Sequence, residues 1–289
     1  MNPYNLGFVA TEVTLLVVGK YFLNLGIHPY FYGLVTGVTA AAIMRVILKL
    51  KLTRATLIAS LPTILFFTIA NSLGFMALKY SQLTNYNFLI QSSLLIIPFL
   101  ASLFLNEKVR WAIFPLALVN LTGIALLTGL NGLRFHFGDG LTLLAAVFVS
   151  LDFVWQKKAA LKIDQNVVAF WRRLISSIFL GSFWLITPQL GHASWQNALI
   201  LIPISLLYVS LSLLMVRALT SQPVADFNLF ITLSPVLTAL VAFWLLNERM
   251  NQIQLSGAFL VLLSIIVYNW YRKVYDSRRY PRPERVKIS

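Results

Sequence analysis

Residues 85–108 read NYNFLIQSSLLIIPFLASLFLNEK, and this stretch contains no acidic or basic side chain before Glu107. About 20 apolar residues in a helix are long enough to cross the hydrocarbon core of a bilayer. The stretch therefore predicts a transmembrane helix that ends at the polar sequence Asn-Glu-Lys. Nine further segments of similar length are also predominantly apolar, so the chain is predicted to have ten spans in all.

The composition supports a membrane protein. Hydrophobic residues make up 58% of the 289 residues and charged residues 11%, whereas soluble domains have about 25% charged residues. So few polar groups could not cover the surface of a soluble fold, which excludes soluble and disordered classes. Because the chain has 0 cysteines, a disulfide scaffold, a thiol nucleophile and a thiolate metal site are excluded as well.

We predict an all-α membrane protein whose ten transmembrane helices are joined by short loops. The predicted spans cover residues 6–25, 29–48, 56–78, 83–105, 110–130, 140–160, 166–188, 196–218, 223–246 and 251–272.

The net charge of +14 at first suggests a nucleic-acid partner, but the positions of the basic residues argue against one. When the ten spans alternate across the membrane, 19 of the 23 basic residues, with Arg172 and Arg173 among them, fall at helix ends and loops of one side. Such an excess marks the cytoplasmic side. We therefore predict an inner or plasma membrane protein with both termini in the cytoplasm. Its basic tail, residues 274–289, would face anionic lipids, with no nucleic acid bound.

The chain repeats itself at an offset of 141 residues. The offset pairs the Asn-Glu-Lys motif at 106–108 with Asn-Glu-Arg at 247–249, and it pairs Pro62 with Pro203. Matches of this kind are more specific than the Leu and Ala matches that any two membrane segments share. They indicate an internal duplication of the chain.

The duplication predicts a first five-helix repeat over residues 1–133 and a second over residues 134–273. An odd number of spans in each half makes the two repeats inverted relative to each other (5+5). Inverted repeats give secondary transporters two conformations that open to opposite sides, with the binding site near the midplane.

Further motifs carry a family resemblance. The sixth span begins with Gly138-Asp-Gly-Leu-Thr-Leu-Leu-Ala-Ala146 and ends with Gln-Lys-Lys at 156–158. Together with the Asn-Glu-[Lys/Arg] endings of the fourth and ninth spans, these features make residues 6–272 resemble the drug/metabolite transporter superfamily, EamA type. The resemblance implies a central cavity lined by spans one to four and six to nine, with spans five and ten at the periphery. It also implies export of small metabolites.

Two acidic side chains, Glu12 and Asp152, lie inside predicted spans. An ionisable group in the bilayer costs about 2.5–3.5 kcal/mol on insertion scales and is a functional candidate by default. Removal from water favours the neutral form of a carboxyl, so both are candidate proton carriers. Lys20 lies about 12 Å along the helix from Glu12, which argues against a static pair. For Asp152, an interfacial ion pair with the neighbouring lysines remains an alternative.

Uncharged polar residues in the third, fourth and ninth spans favour a water-filled cavity, although they could instead only join helices. Lys20, at the outer end of its span, either contacts substrate or extends its ammonium group to water. The candidate residues of the substrate or proton pathway are Glu12, Lys20, Asn71, Asn85, Asn87, Gln91, Asp152, Asn228 and Thr232.

Prolines inside the spans mark places where a helix can bend, and the two glutamates of the repeated motif mark helix ends. We predict mid-helix breaks in the fourth and ninth spans and breaks near one end of the third and eighth. The candidate hinge and gate residues are Pro62, Pro98, Glu107, Pro203, Pro235 and Glu248.

These features predict a secondary transporter that exports a small metabolite, such as an amino acid or related solute, by alternating access with proton coupling. A facilitated-diffusion carrier and an accessory or binding subunit of a heteromeric transporter are the alternatives. We expect a monomer or homodimer and no enzyme, because no P-loop, HExxH or GxSxG motif is present. No cofactor or metal is expected.

Overall fold

The computed structural model describes residues 3–80, 86, 88–108, 110–128, 137–246 and 251–279, and these form a bundle of helices. The helices are α1 (Pro3–Asn24), α2 (Pro29–Leu48), α3 (Arg54–Tyr80), α4 (Ser93–Leu105), α5 (Ile113–Thr128), α6 (Phe137–Ala160), α7 (Gln165–Ile186), α8 (Trp195–Leu201), α9 (Ser205–Ser221), α10 (Val224–Ile231), α11 (Leu233–Leu246) and α12 (Gln252–Arg279). Within these ranges the only β pairing is an isolated bridge between Ile27 and His192. The all-helical prediction is confirmed.

Six of the helical segments are long and apolar enough to cross a membrane: α2, α3, α6, α7, the combined α10–α11 segment and α12. A seventh candidate is the pair α8 and α9, which meet at an angle of 48°. Three shorter apolar helices, Tyr4–Gly19, Ile90–Leu105 and Ile113–Leu127, lie at the first, fourth and fifth predicted spans. The protein is therefore a multi-pass membrane protein.

Local sequence explains where several helices begin and end. The Asp164 carboxylate accepts a hydrogen bond from the Asn166 N–H and caps α7, and the Ser194 hydroxyl accepts one from the Asn197 N–H and caps α8. Asn106 ends α4 with φ of 55°, in the left-handed region that asparagine tolerates better than most residues. The asparagine of the Asn-Glu-Lys motif is thus a helix C-cap.

Three predicted spans are interrupted. A 3₁₀ turn at Ile90–Ser92 precedes α4, Thr232 separates α10 from α11, and Pro203 lies in the bend between α8 and α9. Pro235 lies in the first turn of α11, just after its break.

The other two candidate hinges differ from the prediction. Pro62 lies inside a continuous α3, and Pro98 lies inside a continuous α4. The break in the fourth span therefore precedes Pro98 by about two turns. A membrane helix can continue through proline where neighbouring groups satisfy the freed carbonyl.

Close helix contacts are made at glycines. A Cβ on Gly37 of α2 would lie 1.7 Å from the Ser177 Oγ of α7, so these two helices touch at this position. Helix α5 packs mainly against α12, where a Cβ on Gly257 would lie 2.5 Å from the Gly123 carbonyl oxygen. This pair lies at the periphery of the bundle, in agreement with the position that the family resemblance implies for the fifth and tenth spans.

Gly257→Val is expected to destabilise the protein, because the added side chain would overlap the backbone of α5. Overpacking of this kind costs about 1–3 kcal/mol. Thermal unfolding in detergent should show a midpoint lowered by several degrees. The matched control is Ser256→Val, which places the same side chain on the exposed neighbouring position. Equal midpoints for the two variants would contradict the close α5–α12 contact.

Candidate functional site

Asp152 lies inside the bundle where α6 faces α3 and α7, and 1% of its surface is exposed. Its Oδ1 accepts a hydrogen bond from Thr63 Oγ1 at 2.6 Å and another from Arg172 Nε at 3.0 Å. Its Oδ2 pairs with Arg172 Nη2. The carboxylate is therefore held by two side chains from two helices in the bidentate geometry that arginine favours.

Arg172 is as deeply buried as its partner, with 3% of its surface exposed. Its guanidinium carbon lies 3.6 Å from the centroid of the Phe67 ring, a cation–π contact. An aromatic ring thus covers one face of the guanidinium. The sequence left open an ion pair between Asp152 and the neighbouring lysines. The structure shows that the partner of Asp152 is Arg172 instead.

A cavity of about 160 Å³ lies beside this ion pair, between α3, α6, α7 and the turn that precedes α4. Its walls are mainly apolar, and the polar groups converge on it from Asn71, Tyr86, Asp152 and Arg172. The lining residues are Phe67, Ala70, Asn71, Gly74, Tyr86, Ile90, Val149, Asp152, Phe153 and Arg172. An apolar pocket with few convergent polar groups is the usual form of a small-molecule site.

Arg173, the next residue of α7, turns toward α9. Its Nε and Nη2 donate to the Ser212 hydroxyl at 3.2 and 3.0 Å, and its guanidinium lies 4.9 Å from the Tyr208 ring centroid. Only 8% of its surface is exposed. Counting Arg172 and Arg173 as cytoplasmic end residues was wrong, because both side chains lie between helices. The signal that could have found them is the rule for buried ionisable groups, which applies to bases as well as acids.

Glu12 of α1 forms a second polar position. Its Oε2 is buried without a hydrogen-bond partner in the part of the chain that the structure describes. The Ser234 hydroxyl of α11 lies beside this carboxyl. The hydroxyls of Ser234 and of Thr238, one turn further along α11, are also buried and unpaired among the described residues. Buried polar oxygens with unused hydrogen-bonding capacity therefore lie on two neighbouring helices.

A polar network joins the helix ends on one side of the bundle. Glu107 Oε1 pairs with Lys157 Nζ at 2.6 Å, and Glu107 Oε2 accepts the backbone N–H of Val224 at 2.9 Å at the start of α10. Lys157 also donates to the Gln222 carbonyl at 2.6 Å. The Gln222 amide exchanges hydrogen bonds of 2.7 and 3.3 Å with the amide of Asn5.

Asp226 forms a second cluster at the same ends. Its carboxylate pairs with Arg110 Nη1 at 3.0 Å and with Arg272 Nη1 at 3.2 Å, and it accepts a hydrogen bond from the Tyr268 hydroxyl. We call these two clusters together the end network: Asn5, Glu107, Arg110, Lys157, Gln222, Val224, Asp226, Tyr268 and Arg272. It connects α1, α6, α10 and α12 with the segment between α4 and α5.

The other candidate residues lie in different surroundings. Asn71 lines the cavity and donates to the Phe67 carbonyl at 2.9 Å, and Gln91 lies in the 3₁₀ turn next to the cavity residue Ile90. Asn228 donates to the Ser93 hydroxyl at 3.3 Å.

Thr232 accepts a hydrogen bond from Asn120 at 3.0 Å, so it joins helices, as Asn228 does. The backbone of Lys20 belongs to α1, but its side chain is not in the described part of the structure. Asn85, Asn87 and Glu248 are outside the described residues. Transport roles for all of these remain predictions.

The described residues contain no group of three or more His, Cys, Asp or Glu side chains arranged to hold a metal ion. The polar chemistry of the site therefore consists of a buried ion pair, an unpaired carboxyl and amide or hydroxyl groups. Such groups can bind a polar solute or carry a proton within the membrane.

The buried polar cavity in a multi-pass bundle is typical of membrane transport proteins, and comparisons with known proteins agree. Residues 136–270 match the EamA-like transporter family. An uncharacterized transporter of Archaeoglobus fulgidus is 23% identical over 211 residues, which are 68% of this chain and 71% of that protein. One solved crystal structure has the same fold, with a TM-score of 0.77 over 96% of this chain and 98% of the other, at 16% identity.

The second half of the chain is therefore similar to the EamA-like transporter family, which agrees with the resemblance that the sequence motifs carry. The comparisons support a membrane transporter in general.

Asp152→Asn is expected to destabilise the protein strongly, because it leaves Arg172 buried without a counter-charge. Breaking a buried pair on one side costs about 3–5 kcal/mol. Thermal unfolding in detergent, followed by size-exclusion chromatography, measures the loss. The double variant Asp152→Asn/Arg172→Gln removes both charges and should recover most of the lost stability. A single variant as stable as the unchanged protein would contradict the ion pair.

Proposed function

We propose that the protein is a secondary transporter that exports a small metabolite, such as an amino acid or related solute, by alternating access. The observation that carries this proposal is the cavity of about 160 Å³, whose floor is the Asp152–Arg172 ion pair. A carboxylate and a guanidinium beside apolar walls fit a small solute that has both polar and apolar parts. Transport, not catalysis, is the proposed activity.

The proposed architecture has ten spans in two inverted repeats, over residues 1–133 and 134–273. The breaks in the fourth and ninth spans support it, because Gln91 of the 3₁₀ turn and Thr232 are 141 positions apart. This is the offset of the Asn-Glu-[Lys/Arg] motif. Broken helices at matching places in two repeats are typical of transporter binding regions.

The end network supports the proposed orientation. Each of its members belongs to a helix end that the distribution of Lys and Arg assigns to the cytoplasm, and all of them come together on one side of the bundle. We therefore propose cytoplasmic termini in an inner or plasma membrane. The basic side would contact anionic lipids.

The position of the cavity indicates which side is closed. Asn71, Gly74 and Tyr86 line it from the part of the chain near the predicted outer end of α3. The end network joins the helices at the opposite end. Between them lies Gln156, whose fully buried amide has no hydrogen-bond partner in the described ranges. We propose that the network is the cytoplasmic gate and that this conformation is closed to the cytoplasm.

Glu12 is the proposed proton carrier. A buried carboxyl that has no basic partner among the described residues can take up and release a proton at less cost than Asp152, whose charge Arg172 stabilises. Ser234 places a hydroxyl where it can hydrogen-bond to either form. Facilitated diffusion would need no such group, so the coupling test separates the two mechanisms.

Purified protein in proteoliposomes is expected to transport apolar amino acids, with accumulation driven by a pH gradient. Glu12→Gln should reduce the driven accumulation at least about tenfold, while solute exchange without a gradient persists. The control Thr14→Val removes an exposed hydroxyl on the same helix and should leave both activities intact.

Unchanged gradient-driven flux in Glu12→Gln would remove Glu12 from the mechanism. Flux that ignores the gradient in the unchanged protein would favour facilitated diffusion. No flux of any tested solute, together with a required partner chain on pull-down, would favour the accessory-subunit alternative.

The absence of cysteine allows a clean test of the gate. Ala101→Cys places a thiol at a residue that is 1% exposed beside the end network. In inside-out vesicles, a membrane-impermeant maleimide should label it slowly, and the additional change Lys157→Met should accelerate labelling several-fold because it removes the Glu107 pair. Unchanged labelling would contradict a gate role.

The matched control for this labelling is Lys162→Cys, at an exposed position on the same predicted side. It should label at the same rate with and without Lys157→Met. Labelling of this control only in right-side-out vesicles would show that the predicted orientation is wrong.

A further inference from the structure

Arg173 is a buried positive charge that the proposed mechanism has not used. Two guanidinium groups and one carboxylate lie together between α3, α6 and α7, and Arg172 occupies both oxygens of that carboxylate. No described acidic side chain lies within ion-pair distance of Arg173. The region around the cavity floor therefore has one uncompensated positive charge.

The groups in contact with Arg173 from α2, α3 and α9 are neutral, and the charges that act on it are those of Arg172 and Asp152, which already pair with each other. Helix α9 contributes the Ser212 hydroxyl and the Tyr208 ring, α3 contributes the Phe67 ring at 5.5 Å, and α2 contributes Gly37 against the aliphatic part of the side chain. A guanidinium has five N–H donors, and only a single hydroxyl accepts from this one among the described residues. A charge in this position calls for an anionic partner.

Phe67 connects Arg173 with the cavity. Its ring lines the cavity, stacks on Arg172 at 3.6 Å and lies next to Arg173 at 5.5 Å. Phe67 is therefore a cavity residue that contacts both guanidinium groups. The hydroxyls of Tyr208 and Tyr32, which lie 3.5 Å apart, are further possible donors to an anion near Arg173.

We propose that Arg173 is the anion subsite of the transporter and that the cargo carries a carboxylate that this guanidinium binds. Ser212 orients the guanidinium, and Phe67 separates the subsite from the cavity until the cargo enters. The bound carboxylate supplies the missing negative charge, while the Asp152–Arg172 pair stays intact as the floor. The inference rests on the proposed transport function and narrows its substrate class to small organic anions and zwitterions.

The test compares two probes of nearly equal shape, phenylacetate and phenylacetamide, which differ in the carboxylate. Their binding to the purified full chain is measured by ligand-induced thermal stabilisation and by titration calorimetry. We expect the carboxylate to bind at least about tenfold more tightly than the amide. Arg173→Gln should abolish this preference, and Arg173→Lys should keep part of it because the charge remains. Arg45→Gln removes one exposed positive charge and should change nothing.

Equal binding of the two probes to the unchanged protein would overturn the proposal, and this measurement does not depend on whether a variant folds. A carboxylate preference that survives in folded Arg173→Gln would overturn it as well, since Arg173 would then only join α7 to α9. Carboxylate-selective binding without any flux in proteoliposomes would refute the transport function and leave the anion subsite standing. Flux restricted to neutral solutes and unaffected by Arg173→Gln would support the transport function and refute the anion subsite.

Discussion

The ion pair between Asp152 and Arg172 is the interaction on which the arrangement of the central helices depends. In a membrane protein, water is not available to solvate a charge between helices, so each partner must lie where the other can reach it. The bidentate contact fixes the register of α6 against α7, and the hydrogen bond from Thr63 adds α3. An apolar contact of equal size would hold these helices at least as well. The charged pair is therefore better explained by the polar surface that it gives the cavity.

Buried polar groups in this protein fall into two kinds. Those of the end network have partners: Glu107 bonds both Lys157 and the start of α10, and Asp226 accepts from three side chains. Such a network resists separation of the helices because opening it exposes several charges at once. Glu12, Gln156 and Arg173, in contrast, have polar or charged atoms whose bonding capacity the described residues leave unfilled. Groups of this kind are stabilised only when a proton or solute arrives, which suits binding better than structure.

The sequence predicted the helical membrane fold because span length and hydropathy depend on local composition alone. It also identified Asp152 and Glu12, because an acid within an apolar run stands out. It failed at Arg172 and Arg173, since a base within about two turns of a helix end can extend its charge to water, and that reading is usually correct. Only the three-dimensional neighbours show that α7 turns these two side chains inward. Likewise, Pro98 marked the wrong place for a break, because the 3₁₀ turn at Ile90–Ser92 contains no proline.

The distribution of satisfied and unsatisfied groups also bears on how such a protein could change conformation. The charged groups of the end network have charged partners, so this conformation needs no ligand to keep that end closed. The helices around the cavity hold an excess positive charge, and the amide of Gln156, between the cavity and the network, has no partner among the described residues. The same conformation is therefore least favourable near the place where a solute would bind. A ligand that pairs with this charge and this amide lowers the free energy only of the conformations that bind it. The cost of opening the network can then be offset by binding at the cavity. The two regions are coupled through α6, which carries Asp152 and, one turn further along, Gln156 and Lys157.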